Sequence, residues 1–465
     1  RPNLTLSLGM RYEMSTVPHD SFNRTYAIHT LTQATPTQGL LFNNPTLLGF
    51  SPRVGIAWDP FHNGKTSVRA GFGMYNDLPL AFIFHRDATV TPFYRAGTAL
   101  NPPTGAFPSG GYSLLGLSTL RGQFVQQNPD RPYVMHWDFD VQRQLRSNMV
   151  LSVAYIGERG IHLMRSSDNV DMVTPTQTPA GLVFPPTTSA ASVVTNPNFG
   201  RIQGFTFDNQ AFYDALDVQL TQHLNHGLSF TAAYTWEKAM DYSDELFTSA
   251  EFSNTIGNPY ALDMFLNYGV ADYNIPQNFV FSGTWDVPSP SSFTGPVKAV
   301  LGGWELGSII TAQSGEPFSV VLASDQAETK SGAPAGQQDG QRPNVLPCSG
   351  LTTGNPNAYI NTSCFSFPAA GTFGDSARNS LEGPGLAGWD FSLMRNFKIS
   401  KLGEAGNLQF RAEFFNILNR ADFAPPGSRA FEIFNKRGTI NAGAGEITST
   451  ASAQREIQFA LKLMF

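Results

Sequence analysis

The sequence predicts an all-β chain, an antiparallel up-and-down transmembrane β-barrel of the outer-membrane type, with about twelve strands present. Three observations predict it. Apolar and polar side chains alternate one by one in segments of roughly ten residues, the length a tilted strand needs to cross a bilayer. Short and long connections alternate between those segments, as in barrels with brief turns at one end and long loops at the other. The terminal segment Arg455–Phe465 places Ile457, Phe459, Leu461, Leu463 and Phe465 on one face, against Gln458, Ala460, Lys462 and Met464 on the other. Such a terminus leaves an apolar edge in water, yet suits a closing strand with lipid outside and a polar lumen inside.

The elements follow in order. Leu4, Leu6, Leu8, Met10 and Tyr12 share a face against Thr5, Ser7, Gly9 and Arg11. Val54, Ile56 and Trp58 lead into a tight Asp59-to-Gly64 turn, after which Val68, Ala70, Phe72 and Met74 alternate with Ser67, Arg69, Gly71 and Gly73. Met135, Trp137, Phe139 and Val141 stand against His136, Asp138, Asp140 and Gln142, and the Arg146-Ser147-Asn148 turn leads to Met149, Leu151, Val153 and Tyr155. Leu216, Val218 and Leu220 alternate with Asp217, Gln219 and Thr221. The Asn225-His226-Gly227 turn then opens Leu228, Phe230, Ala232, Tyr234 and Trp236. Phe279, Phe281, Trp285 and Val287 form the next strand, and Trp304, Leu306, Ile310 and Ala312 another. Trp389, Phe391 and Leu393 precede Leu408, Phe410, Ala412 and Phe414, and the terminal strand closes the series.

Segments near 15–50, 76–131, 158–212, 239–276, 315–387 and 420–453 are long and polar, which counts against a compact soluble domain. Residues 318–322 could add a small hairpin inside one of them. Following the alternation, the first strand runs outward and the last inward. Trp58, Tyr75, Tyr155, Trp236, Trp285, Trp304 and Trp389 lie at or near strand ends, where rings with a polar tip would form interfacial girdles. Aromatics in the core of an ordinary sandwich are the competing reading; loop lengths and the terminal Phe weigh against it.

Composition sets the outer bounds. Of 465 residues only 14% are charged, 12% are aromatic and 37 are Phe; 43 Gly and 32 Pro suit many strands joined by turns and irregular loops. No stretch approaches the roughly 18 apolar residues of a spanning helix. A net charge of -6 argues against a nucleic-acid partner. The first residue is Arg1, without a basic n-region or apolar h-region, and the first strand begins at once; the expectation is a sequence that starts in mid-protein, with its export signal elsewhere.

Catalytic chemistry finds little support. Eight histidines are scattered without a zinc-binding HExxH; Gly157-Glu-Arg-Gly160 follows a strand but opens no helix, so it is no phosphate cradle. Asp244-Glu245 reads as solvated loop charge, and no serine sits in a nucleophile elbow. An enzyme is excluded, and neither cofactor nor metal is expected. Cys348 and Cys364 are too few for a metal site. Either they close an exported loop as a disulfide, worth about 3 kcal/mol on the chain-entropy model, or they are two unpaired loop thiols.

Polar-face residues Arg11, Arg69, Asp138, Asp140, Asp217, Arg411, Glu413 and Lys462 would point into the lumen and pair across strands, Arg411 and Glu413 lying beside Lys462. Direct contact with a ligand is the rarer alternative for them. Ligand capture belongs on the long loops, with Asp241-to-Asn254 and the Cys348–Cys364 segment the preferred places.

Several stretches resemble the C-terminal barrel of TonB-dependent receptors, in particular the Oar-like branch. They are Leu4-to-Glu13, Ser51-to-Pro60, Lys65-to-Tyr75, Asn379-to-Gly385, Gln409-to-Asn419 and Arg455-to-Phe465, in an order that spans nearly the whole chain. The resemblance implies a barrel of about 22 strands around a plug, with a segment that contacts the inner-membrane TonB complex ahead of the plug and a small carboxypeptidase-regulatory-like sandwich at the N-terminus. Signal peptide, plug and TonB-contacting segment are not recognisable here, so the whole chain, 1–465, would be the C-terminal part of such a barrel. Its expected partners are outer-membrane lipid, the barrel assembly machinery acting on Phe459, Leu461, Leu463 and Phe465, an unknown bulky ligand, and the TonB complex only through the missing parts. Three functions stay open: energy-coupled movement of that ligand, a passive pore or structural barrel, and a secreted β-rich binding or adhesion protein.

Overall fold

Among the described residues of the computed structural model, alternation along the chain becomes twelve antiparallel strands, the main path of a fourteen-stranded sheet. The structure describes residues 3–79, 83–84, 89–94, 101–106, 120–243, 254, 256–290, 292, 294–332, 339–399, 401, 403 and 406–465. The strands are β1 (Leu4–Tyr12), β2 (Phe50–Trp58), β3 (Thr66–Asn76), β4 (Tyr133–Arg146), β5 (Met149–Ser167) and β6 (Arg201–Asn225). They continue as β7 (Leu228–Asp241), β8 (Gln277–Asp286), β9 (Trp304–Gln313), β10 (Leu386–Lys398), β11 (Asn407–Phe415) and β12 (Glu456–Met464). Each pairs with its neighbour in sequence, an up-and-down meander without crossovers. Among the described residues no ladder joins β1 to β12, so the sheet ends in two edges.

Register is what makes the faces continuous. Directly opposed residues in antiparallel strands share a face, and a slip of one residue would swap the faces. One row runs Leu6, Ile56, Ala70, Phe139, Tyr155, Leu216, Trp236 across β1 to β7. Another runs Leu228, Trp285, Leu306, Leu393, Ala412, Phe459 across β7 to β12. The opposite face carries Thr5, Ala57, Arg69, Asp140, Ala154, Asp217, Thr235, Asn278 and Gln313 in one row. On the apolar side Leu8 is 73% exposed and Leu461 70%. A water-soluble sheet would cover such a surface; a bilayer covers this one.

Turns at one end have local causes. Asp59 accepts from the amides of Phe61 and Gly64 at 3.2 and 2.8 Å and folds the β2–β3 connection over itself. Between β6 and β7 both central residues, His226 (φ 50°) and Gly227 (φ 79°), take the left-handed backbone that a two-residue hairpin matched to strand twist requires. A side chain at Gly227 would also run into the carbonyl of Asp286. The β8–β9 connection is longer and holds the short helix Gly295–Leu301, whose Val297, Val300 and Leu301 are exposed.

Three sequence expectations need correction. Residues 318–322 form no local hairpin: Pro317–Phe318 pairs with Leu381–Glu382, and Val321–Leu322 runs parallel to Glu432–Phe434. Strands β5 and β6 have 19 and 25 residues, well beyond a bilayer crossing, because their outer halves carry loops. Tyr75 sits on the polar face, its ring over Gly73 and 4.5 Å beneath the Arg53 guanidinium, so it belongs to no outward girdle.

The buried apolar core is in the loops. One cluster joins Ile256, Phe318, Val320, Leu322, Ile360, Phe365, Ile433 and Ile447 from the β7–β8, β9–β10 and β11–β12 connections. A second joins Ile28, Val170, Met172, Phe184, Phe199, Tyr260 and Ala327, and a third Leu41, Phe42, Ile83, Val125, Phe205 and Phe207. All six long connections contribute. They pack into a cap at one end of the sheet.

Candidate functional site

Two surfaces carry polar chemistry: the polar face of the sheet and the base of the cap. On the sheet, Arg69 lies directly opposite Asp140, which accepts from Ser152 Oγ at 2.7 Å. His136 Nδ1 is 2.8 Å from Glu158, and its Nε2 is 3.9 Å from Asp138. The Asp138 carboxylate lies over Gly71, where any Cβ would collide with it. A groove of about 330 Å³ crosses β1 to β4 here, floored by Gly9, Gly55, Gly71 and Gly73 and walled by Arg53, Tyr75, His136 and Asp138. Gly in a strand interior often marks a place where another backbone or ligand comes close.

The other candidate residues lie further apart. Arg11, opposite Ser51 near the end of β1, pairs with Glu13 at 2.5 Å. Asp217 faces Ala154 and Thr235, with one carboxylate oxygen lacking a hydrogen bond among the described residues. Arg411 pairs along its own strand with Glu413 at 3.4 Å. Lys462 stands opposite Gln409, while the residue opposite Arg411 is Ala460, so the register turns the expected cross-strand pairing into an in-strand one. Phe459, Leu461, Leu463 and Phe465 are all exposed on the apolar side of the final segment.

At the base of the cap lies an ionic network that sequence reasoning missed. Arg378 and Asp241, with side chains 1% and 2% exposed, form a salt bridge; the same guanidinium donates to the Val270 carbonyl at 3.2 Å. Asn379 continues it, donating to Asp272 Oδ1 at 2.6 Å and to the Val270 carbonyl at 2.7 Å. Asn254 ties the Asp272 carbonyl to that of Pro317 at 3.0 and 2.6 Å. Asp241 and Asn254, sought as ligand contacts, are therefore buried struts; residues 244–253 between them lie outside the described residues. Burial and the nearby Arg378 charge push the Arg342 pKa down to about 10, and among the described residues this guanidinium donates to Ser376, Leu266 and Asn267 oxygens. The only sequence signal was Asn379-to-Gly385, where Gly383 and Gly385 let the chain press against Glu316 and Gln313.

Cys348 and Cys364 form a disulfide with a Cα–Cα distance of 5.6 Å. Cys364 is fully buried in the first apolar cluster, which makes this loop a packed part of the cap. Elsewhere in the β9–β10 connection, burial and the charge of Asp325 push the pKa of Asp339 up to about 7 against the hydrogen bond from Ser331 Oγ at 2.6 Å. The folded loop thus favours the neutral acid, whereas the unfolded chain ionises near pH 4. Packing should weaken as pH rises from about 4 to about 7 and level off above that. Amide exchange over 325–332 and 339–342, corrected for intrinsic rates, should show this trend, and Asp339→Asn should flatten it. Protection that does not change across the window sinks the account.

A meander of bilayer-length strands, lipid-facing on one side and polar on the other, defines an outer-membrane β-barrel protein. The chain belongs to the outer membrane beta barrel domain family, whose model matches residues 1–458. Its place is the outer membrane. No curated protein matches the sequence. Among solved structures it is similar to the outer membrane transporter YddB from Escherichia coli, with 12% identity and a TM-score of 0.48 over 92% of this chain and 42% of that one. A variant of the ferric enterobactin receptor PfeA from Pseudomonas aeruginosa gives 11% and 0.43 over 90% and 40%. The ferric preacinetobactin receptor BauA from Acinetobacter baumannii gives 10% and 0.40 over 100% and 40%. The chain spans about two fifths of the length of these structures.

Proposed function

We propose that residues 1–465 are the C-terminal part of the barrel of a TonB-dependent receptor of the Oar-like branch, which moves a bulky ligand across the outer membrane with energy from the inner-membrane complex. The observation that carries this reading is the pair of sheet edges. Unpaired strand edges in hydrocarbon cost several kcal/mol per polar group. The edge amides and carbonyls of β1 and β12 therefore need further strands of the same alternation, about ten for a barrel of the transporter size. A packed outer cap suits capture of a ligand, and the glycine-floored groove suits an object held inside the barrel. The barrel assembly machinery would recognise the terminal strand, and the TonB complex would act only through parts ahead of Arg1. Neither role calls for a catalytic site.

The test begins with the DNA upstream of Arg1, which should encode in frame a signal peptide, a plug and the missing strands. A stop codon immediately before a start near Arg1 would overturn the reading. Full-length protein in planar bilayers should then stay closed, because the plug fills it. Steady open conductance would assign a passive pore instead.

A further inference from the structure

The short strand Arg121–Val125 runs parallel to the start of β6, and its register sets Arg121 directly opposite Arg201. Two like charges in that position repel unless something negative lies between them. Asp168 partly supplies it: Arg201 reaches its carboxylate at 2.9 Å and its backbone carbonyl at 2.7 Å. Among the described residues Arg121 has no carboxylate partner. One positive charge of this trio is left over. The three side chains, with Thr89, Val90 and Gln203, line a pocket of about 60 Å³ beside the cap. That is roughly the room of two waters, or of one small planar anion.

We propose that this pocket is an oxyanion site which takes a single carboxylate group of a ligand arriving at the long-loop end. Guanidinium forks match the planar, two-oxygen geometry of a carboxylate. The residual charge balances one negative charge, whereas a phosphate dianion would meet the Asp168 carboxylate. Gln203 adds an amide to orient the group. The assignment deepens the receptor reading by giving the ligand a chemical class, and its test measures binding without transport, so either can fail alone.

The whole chain, folded in detergent and checked by heat-modifiable gel mobility, is titrated with carbon-13 acetate while the acetate linewidth is followed. Arg121→Gln should weaken acetate binding at least tenfold, and Arg121→Lys should lose less. Asp168→Asn should shift preference from acetate toward inorganic phosphate, a gain that misfolding could not produce. Equal acetate broadening in the parent and Arg121→Gln would overturn the proposal. So would phosphate displacing acetate from the parent protein at lower concentration than acetate itself binds.

Discussion

Arg378→Ala is expected to cost the loop cap about 3–5 kcal/mol, the usual penalty for removing one partner of a fully buried ion pair. The arginine is among the largest fully buried side chains, and its loss strands the Asp241 carboxylate at the end of β7. Asp241 cannot turn to solvent, since it is itself 1% exposed. The damage should stay in the cap, because the ladders of β1 to β12 do not depend on this pair. Limited proteolysis should show faster cleavage within 314–385 with strand protection intact. The double replacement Arg378→Met with Asp241→Leu should recover much of the loss, as apolar substitutes for buried pairs often do. If Arg378→Ala leaves the loops as resistant as before, the strut assignment is wrong.

The second large effect concerns the membrane face. Val218 lies mid-strand in β6, opposite Val153 and Tyr234, on the apolar side. Arginine there should destabilise the folded protein in lipid by about 2–4 kcal/mol, the depth-dependent cost for a cation near the bilayer midplane. Gln219, one position along, faces Ser152 and Ala233 on the polar side. Arginine at 219 should be nearly neutral. Urea titration of both variants folded into vesicles compares them directly. Equal costs at the two positions would mean the sheet does not separate lipid from water.

The twelve strands were legible because a period of two needs no knowledge of distant residues: Leu4 to Tyr12 or Ile457 to Phe465 declare their faces alone. The cap was not legible. Phe318, Val320 and Leu322 bury themselves against Ile433 and Phe434, more than a hundred positions on, and nothing local marks the encounter. Arg378 and Asp241 are 137 positions apart, so each reads as a lone loop charge. The partner of Lys462 was not legible, because face assignment alone leaves open which polar residue stands opposite, and only the register with Gln409 decides that. Tyr75 was misread for a different reason: position near a strand end drew more attention than parity, which put it beside Gly73.

The outer clusters draw on every long connection, and each joins at least two of them: three in the first, four in the second, and in the third the β1–β2 and β3–β4 connections with Phe205 and Phe207 of β6. No single loop can therefore peel away and leave the rest undisturbed. The described clusters share connections, so the expected outcome is that they open together rather than loop by loop. A molecule that touches one loop tip acts on a mechanically joined lid, whose free energy of opening is shared among segments far apart in the chain.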